Sequence, residues 1–468
     1  MKKALVLIAV LLIGALCYRY FKMEGDALRA ARQPQEPVWL EADSAAAIKS
    51  RLRSDFSLTF EEAAAQVREL HPEVSDDDVR AFIDKHYMEA KTIDDTLRIH
   101  RKSPRNLGLL NPDMNGGARY RGDHASATRI SYADSVIAFT DGRNPMGGAH
   151  SVTYRFTIDV PYNDALAGDS LRVWMPLPFE SNRQKNVEIL SSEPSAYVLS
   201  DGRSVHNSIY FEGPAPAAEG DTAHFEYTAR YVAMGEYHSP AEIMSRLEPY
   251  DTADQEYLRY VGMEVPHIVR LDSLARAIVG NETNPYKCSE LVYDYIIRHY
   301  PWAGAREYST ISCIPRYVLR EGHGDCGQVA LLYISLMRTL GIPARWESGW
   351  MIHPGEKNLH DWAEVYFNGI GWVPVDISFG RYTTSGDPAI VKFYSTGMDA
   401  HRLAANHGVC GEFFPPKRFV RSETVDFQLG EVECTKGNLF YPGWNMNMKL
   451  IEVKPIKVNS EELTVKSK

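Results

Sequence analysis

The stretch from Glu321 to Asp376 constrains this chain more than any other. It sets Cys326 ahead of an apolar run, His360 34 residues later, and Asp376 16 residues after that. Gly322, Gly324 and Asp325 read as a loop. Val329, Leu332, Tyr333, Leu336 and Leu340 recur at helical spacing, which predicts a helix over 327–340, roughly 20 Å long, stopped by Gly341 and Pro343. Cys326 then lies at a helix N-terminus, where the dipole and unpaired N–H groups favour thiolate over thiol. A lone cysteine there is more often a small buried apolar residue; the flanking glycines and the downstream histidine reverse that reading. A thiol, an imidazole and a carboxylate are the three parts of cysteine-based acyl transfer.

The carboxylate belongs to this set only if the chain folds it to the right side. Ala363, Val365 and Phe367 alternate with Trp362, Glu364 and Tyr366, and Trp372 to Val375 returns after Asn368-Gly369-Ile370, a hairpin signal. Side chains alternate faces with period two. A two-residue turn at Asn368-Gly369 sends His360 and Asp376 to opposite faces. A three-residue loop, Asn368 to Ile370, puts Asp376 opposite Trp362 and diagonal to His360, about 7–8 Å away between backbones. Glu364, the rival orienter, stands about 13 Å along the same strand from His360. The expectation is therefore an odd loop, with Asp376 as the partner of His360.

Several pieces now resemble one known family: Gly324-Asp325-Cys326 opening a helix, Leu340-Gly341-Ile342-Pro343-Ala344-Arg345, His360-Asp361-Trp362-Ala363-Glu364-Val365, and Gly371-Trp372 leading to Asp376. Together they are similar to the transglutaminase-like core of the papain-like superfamily, over roughly Lys287 to Ser378. The resemblance implies an α+β fold in which a helix carrying the cysteine packs on an antiparallel sheet. It implies Cys326 as nucleophile, His360 as general base and acid, and Asp376 as its orienter. It also implies an oxyanion donor upstream of the nucleophile, for which Trp302 and Tyr300 are the candidates, beside the backbone N–H of Cys326.

Elsewhere the chain is divided by pattern. Residues 1–22 carry Lys2 and Lys3 ahead of an apolar run from Ala4 to Cys17, as in a signal peptide or membrane anchor, so an exported protein is expected. Lipidation at Cys17 is a minority reading, because Gly14-Ala15-Leu16 departs from the usual bacterial lipobox. Residues 40–105 read as a helical segment and 106–148, rich in Gly, Asn, Asp and Arg, as an irregular connection. Residues 149–235 alternate as short strands of a β-sandwich-like domain, 239–400 form the transglutaminase-like catalytic core, and 401–468 a C-terminal β extension.

At 468 residues and 44% hydrophobic content, the chain can bury several cores. A net charge of −10 without a basic run argues against a nucleic-acid partner. The expected partner is a peptide or protein amide, with the membrane involved only through an N-terminal anchor. His401, His407 and Cys410 fit no compact metal spacing, so neither metal nor cofactor is expected. Cys288, Cys313, Cys410 and Cys434 are either two disulfides or free buried thiols. The expected activity is thiol-dependent acyl transfer on an amide through a thioester, with water as acceptor; the alternatives are glutamine–lysine cross-linking and a non-catalytic surface scaffold.

Overall fold

The computed structural model describes residues 40–111, 113–114, 124–140, 144–380 and 388–457. The segment at 1–22 read as a signal peptide or membrane anchor, with Cys17, lies outside them. No helix among the described residues is long and apolar enough to cross a membrane.

The N-terminal unit is built on α1 (Ser44–Asp55), α2 (Phe60–Leu70) and α3 (Asp76–Asp84). Thr59 with Glu62 and Ser75 with Asp78 close capping boxes at the starts of α2 and α3. Ala63, Ala64, Val67, Val79, Ile99 and Leu107 form its small core. A hairpin, Ala90–Ile93 with Thr96–Ile99, interrupts the helical segment. Its two-residue turn, Asp94-Asp95, has positive φ at both positions, the geometry that suits the strand twist. Helix α4 (Ser103–Leu110) runs from the helical segment into the connection read as irregular, and α5 (His124–Phe139) lies within that connection. In α5, Ala133 and Val136 are three apart and buried against Phe393 and Tyr394, a period that the polar composition concealed.

The next unit is a two-sheet sandwich. β1 (Met146–Pro161) pairs with β5 (Thr222–Tyr237), and β2 (Ser170–Pro176) with β4 (Ser208–Pro214). β3 (Gln184–Glu193) pairs with β5. Tyr154, Phe156 and Ile158 from one sheet meet Leu171, Val173, Met175 and Phe211 from the other in a single core. The C-terminal run does not stand apart: Asn445–Pro455 pairs with β1, and Glu431–Glu433 pairs with β2.

The third unit holds α6 (Asp272–Val279), α7 (Pro285–His299), α8 (Ile314–Glu321) and α9 (Cys326–Thr339) against an antiparallel sheet. Its strands are β6 (Ala344–His353), β7 (Glu356–Phe367), β8 (Gly371–Val375) and β9 (Arg402–Asn406), in the order β8-β7-β6-β9. Pro374 is tolerated because β8 is an edge strand. The fold is α+β. Helix α9 is buried on nearly every side, as its unbroken apolar sequence requires. Truncating Leu332 or Leu336, each fully buried, to alanine costs about 2–5 kcal/mol. Ala363, Val365 and Phe367 of β7 share the core of α9. Trp362, on the other face, packs on Met398 and Ala404. The sheet is thus sandwiched between α9 and the β domain.

Candidate active site

The hairpin has the odd loop. Gly371 pairs with Phe367 and Val375 with Ala363, which leaves Asn368 to Ile370 as three connecting residues and puts Asp376 on the face of His360. His360 Nε2 lies 2.6 Å from Asp376 Oδ2. Asp376 also accepts the Phe379 N–H at 3.0 Å and Arg402 Nη2 at 3.2 Å. Burial raises the Asp376 pKa, but His360 and Arg402 outweigh it and hold the carboxyl below its ordinary value. The Phe379 ring, 4.6 Å from the imidazole between centroids, fixes its other side. Glu364 is spent elsewhere, on Arg345 Nε at 2.5 Å and Arg183 Nη2 at 2.9 Å.

Cys326 opens α9. Asp325 is the N-cap and accepts the Gln328 N–H at 3.0 Å, while Gln328 Oε1 accepts the Asp325 N–H at 3.2 Å. The thiol donates to Asp361 Oδ2 at 3.2 Å. Asp361 follows His360 on β7, so the two side chains leave the strand on opposite faces. β8 ends opposite Ala363, which leaves the edge of β7 at His360 and Asp361 without a strand on that side. Cys326 occupies this edge, with the Asp361 N–H aimed at its sulfur. Of the sequence-predicted residues, the fold joins His360 to Asp376 directly and joins Cys326 to the neighbour of His360.

The surroundings of the thiol are acidic, and this reverses the expectation of a thiolate. Burial first, then the charges of Asp361 and Asp325, push the Cys326 thiol well above its ordinary pKa. The helix N-terminus does not compensate for two adjacent carboxylates. Asp361 is itself pushed well up, by burial and then by Asp426 and Asp325. Asp426 rises to about 6, chiefly by burial. Gln428 Nε2 holds the cluster in place, donating to Asp361 Oδ1 at 2.7 Å, Gly349 O at 2.9 Å and His360 O at 3.0 Å.

Tyr308 is the aromatic residue at the nucleophile turn: its hydroxyl donates to Asp325 Oδ1 at 2.5 Å. Tyr300, one of the two oxyanion candidates, is buried in the helical core beside Tyr295; Trp302, the other, is partly exposed. Sequence reasoning missed Asp361, Tyr308, Arg402, Asp426 and Gln428. Only Asp361 carried a signal, as a charged residue at an interior strand position. Cys288, Cys313, Cys326, Cys410 and Cys434 are all free thiols. His401, His407 and Cys410 do not assemble: His401 lies by Asp399, His407 meets the Phe179 ring, and the Cys410 N–H bonds Val425 O.

Residues 272–377 match the transglutaminase-like superfamily. The chain carries a transglutaminase-like core. An uncharacterized protein of Haemophilus influenzae is 24% identical over 344 residues, which covers 63% of this chain and 89% of that protein. Among solved structures, a proposed cysteine protease from Cytophaga hutchinsonii is 14% identical, with a TM-score of 0.40 over 68% of this chain and 97% of that one. The periplasmic domain of TgpA from Pseudomonas aeruginosa is also 14% identical, with a TM-score of 0.24 over 55% of this chain and 94% of that one. The matched span holds α6 to α9, β6 to β8 and all three of Cys326, His360 and Asp376.

Proposed function

We propose that the transglutaminase-like core is a thiol-dependent acyl-transfer enzyme that hydrolyses a peptide or isopeptide amide, with Cys326 as nucleophile, His360 as base and acid, and Asp376 as orienter. The observation that carries the reading is the 2.6 Å His360–Asp376 contact. With Nε2 engaged there, proton exchange with the sulfur falls to Nδ1. The resting thiol is protonated and turned to Asp361. The reading requires Sγ to leave Asp361 and meet the His360 imidazole before attack. The imidazole then takes the thiol proton as sulfur attacks the carbonyl carbon, and returns it to the departing amine. The backbone N–H of Cys326, at the start of α9, is the oxyanion donor this scheme requires. Water releases the thioester. On the same reading the apolar run at 4–17 directs the chain out of the cytoplasm.

One observation favours a second reading, a non-catalytic module that keeps the fold: Asp361 occupies the thiol and opposes its ionisation. Mass spectrometry of products from a peptide library, run beside an active-site-directed thiol probe, separates the two. New N-termini produced by the wild type and absent from Cys326→Ser support hydrolysis. Isopeptide products place the acceptor with amines, and no product together with no probe labelling overturns the enzyme reading.

A further inference from the structure

Behind the His360–Asp376 pair lies a second cluster that the acyl-transfer scheme does not use. Arg402 bridges the two: Nη2 reaches Asp376, and Nη1 lies 3.3 Å from Asp399 Oδ1 and 3.2 Å from His353 Nε2. His353 Nε2 is 3.0 Å from the same Asp399 oxygen, and His401 Nδ1 is 3.5 Å from it. The rings of His353 and His401 stack at 5.2 Å, and His150 approaches His401 at 4.8 Å between centroids.

These contacts leave polar groups unspent. His353 and His401 are each 2% exposed, and His401 Nδ1, the atom turned toward Asp399, is buried without a hydrogen-bond partner, which is costly for a purely structural arrangement. His353 Nε2 either donates to Asp399 or accepts from Arg402. It cannot do both, so one of the short contacts is unmade in either protonation state. His150 Nδ1 sits 2.6 Å from Gly148 O and must donate to it. Its lone pair is then on Nε2, the arrangement in which a backbone carbonyl fixes the tautomer of a metal-ligating imidazole.

We infer that His353, Asp399 and His401 form a binding site for a divalent transition metal, zinc by the chemistry of the donors, with His150 as the fourth ligand. One ligand atom from each of the first three lies within 4.8 Å of the others. The 3.0 and 3.5 Å separations bracket the spacing of about 3.3 Å between ligands of a tetrahedral zinc bound at about 2.0–2.1 Å. Two nitrogens or three with one carboxylate suit zinc better than calcium or magnesium. The neighbouring guanidinium opposes a cation. Two buried carboxylates, Asp376 and Asp399, nevertheless face that single guanidinium, and the room for a further positive charge lies on the Asp399 side. Half-buried His150 supplies the way in.

The test uses the full chain, stripped with a chelator and repurified. Cobalt and zinc are titrated in, with bound metal counted by mass spectrometry and the cobalt spectrum recorded. One equivalent per chain is expected, with visible ligand-field bands of tetrahedral strength and no thiolate-to-cobalt charge transfer. His401→Ala and His353→Ala should each weaken binding by about 100-fold or more, beyond the 10–100-fold typical of an outer-shell partner. Cys326→Ser and His360→Gln should leave it unchanged. Should either histidine variant fail to fold, the wild-type stoichiometry and spectrum still decide. Less than a tenth of an equivalent bound, binding retained in both histidine variants, or binding lost in Cys326→Ser each overturns the site.

Discussion

Cys326 Sγ and Asp361 Oδ2 are 3.2 Å apart, and the residue before Asp361 turns its imidazole the other way, onto Asp376. One dipeptide of β7 therefore serves both the thiol and the orienting carboxylate, from opposite faces of the strand. The first consequence concerns the protonation state of the sulfur. A carboxylate at this distance stabilises the thiol over the thiolate.

Asp361→Asn keeps the size and a hydrogen-bond acceptor while removing the charge, so the thiol pKa falls. A fall of one unit raises the thiolate fraction near pH 7 about tenfold. Alkylation of Cys326, followed by peptide-resolved mass spectrometry across pH, should rise by about tenfold or more, and its pH midpoint should move down. An unchanged profile assigns the suppression to burial and Asp325 alone.

His360→Gln and Asp376→Asn address the other face. Loss of the base should reduce turnover by about 10²–10⁴-fold. Asp376→Asn should cost a comparable factor, because the amide no longer stabilises the imidazolium or holds its tautomer. The single amide oxygen can accept from the Phe379 N–H or from Arg402 but not from both, so the variant also gives up one buried contact, and its fold is checked by denaturation beside its turnover. Turnover within a few-fold of wild type in either variant removes that residue from the mechanism.

The helix, the hairpin and the His360–Asp376 pairing were legible because each depends on local spacing: a 3.6-residue period, a three-residue loop, and the parity that follows from it. The sandwich strands were legible for the same reason, from alternation at Tyr154–Val160 and Leu171–Met175. What was not legible comes from distant parts of the chain. Arg402 and Gln428 reach the site across dozens of residues, with nothing in their neighbours to mark them. Asp361 was visible, but whether an acidic residue beside His360 faces solvent or the thiol depends on where β8 stops. His353, Asp399 and His401 escaped because β6 and the run into β9 meet only in the assembled sheet. Along the chain, the nearest ligand-type residues after His401 are His407 and Cys410, which do not join it in the fold.

Asp426 offers a test by pH. Its carboxyl, pushed by burial to about 6, binds its proton more tightly in the folded chain than in the unfolded one, where the value is near 3.8. Such a group stabilises the fold fully below its unfolded pKa, and the contribution is lost as pH rises through about 6. Asp426→Asn has no such proton to lose. Relative to wild type, the variant should gain stability between pH 4 and 7, read as a rising difference in denaturation midpoint. A difference that stays flat or falls over that window means that Asp426 is ionised in the fold.

Two glycines in helices give opposite signs for the same substitution. Alanine is favoured over glycine in a helix by about 0.8–1 kcal/mol. At Gly108, in α4, a Cβ meets nothing within 4 Å, so Gly108→Ala should stabilise by about that amount and raise the melting temperature by a few degrees. At Gly327, directly after the nucleophile, a Cβ would lie 2.5 Å from Tyr308 Oη, 2.7 Å from Asp361 Oδ2 and 2.8 Å from the Trp346 ring. All three neighbours are anchored: Tyr308 by Asp325, Asp361 by Gln428, and Trp346 by the core. Overpacking of this kind costs about 1–3 kcal/mol, enough to cancel the helix preference and reverse it. Gly327→Ala should therefore lower the melting temperature. The carboxylate that must yield is the one bonded to the thiol, so the variant should also release Cys326 from Asp361 and raise its alkylation near neutral pH. A Gly327→Ala protein as stable as wild type, with an unaltered alkylation profile, would show that the turn relaxes without disturbing Asp361.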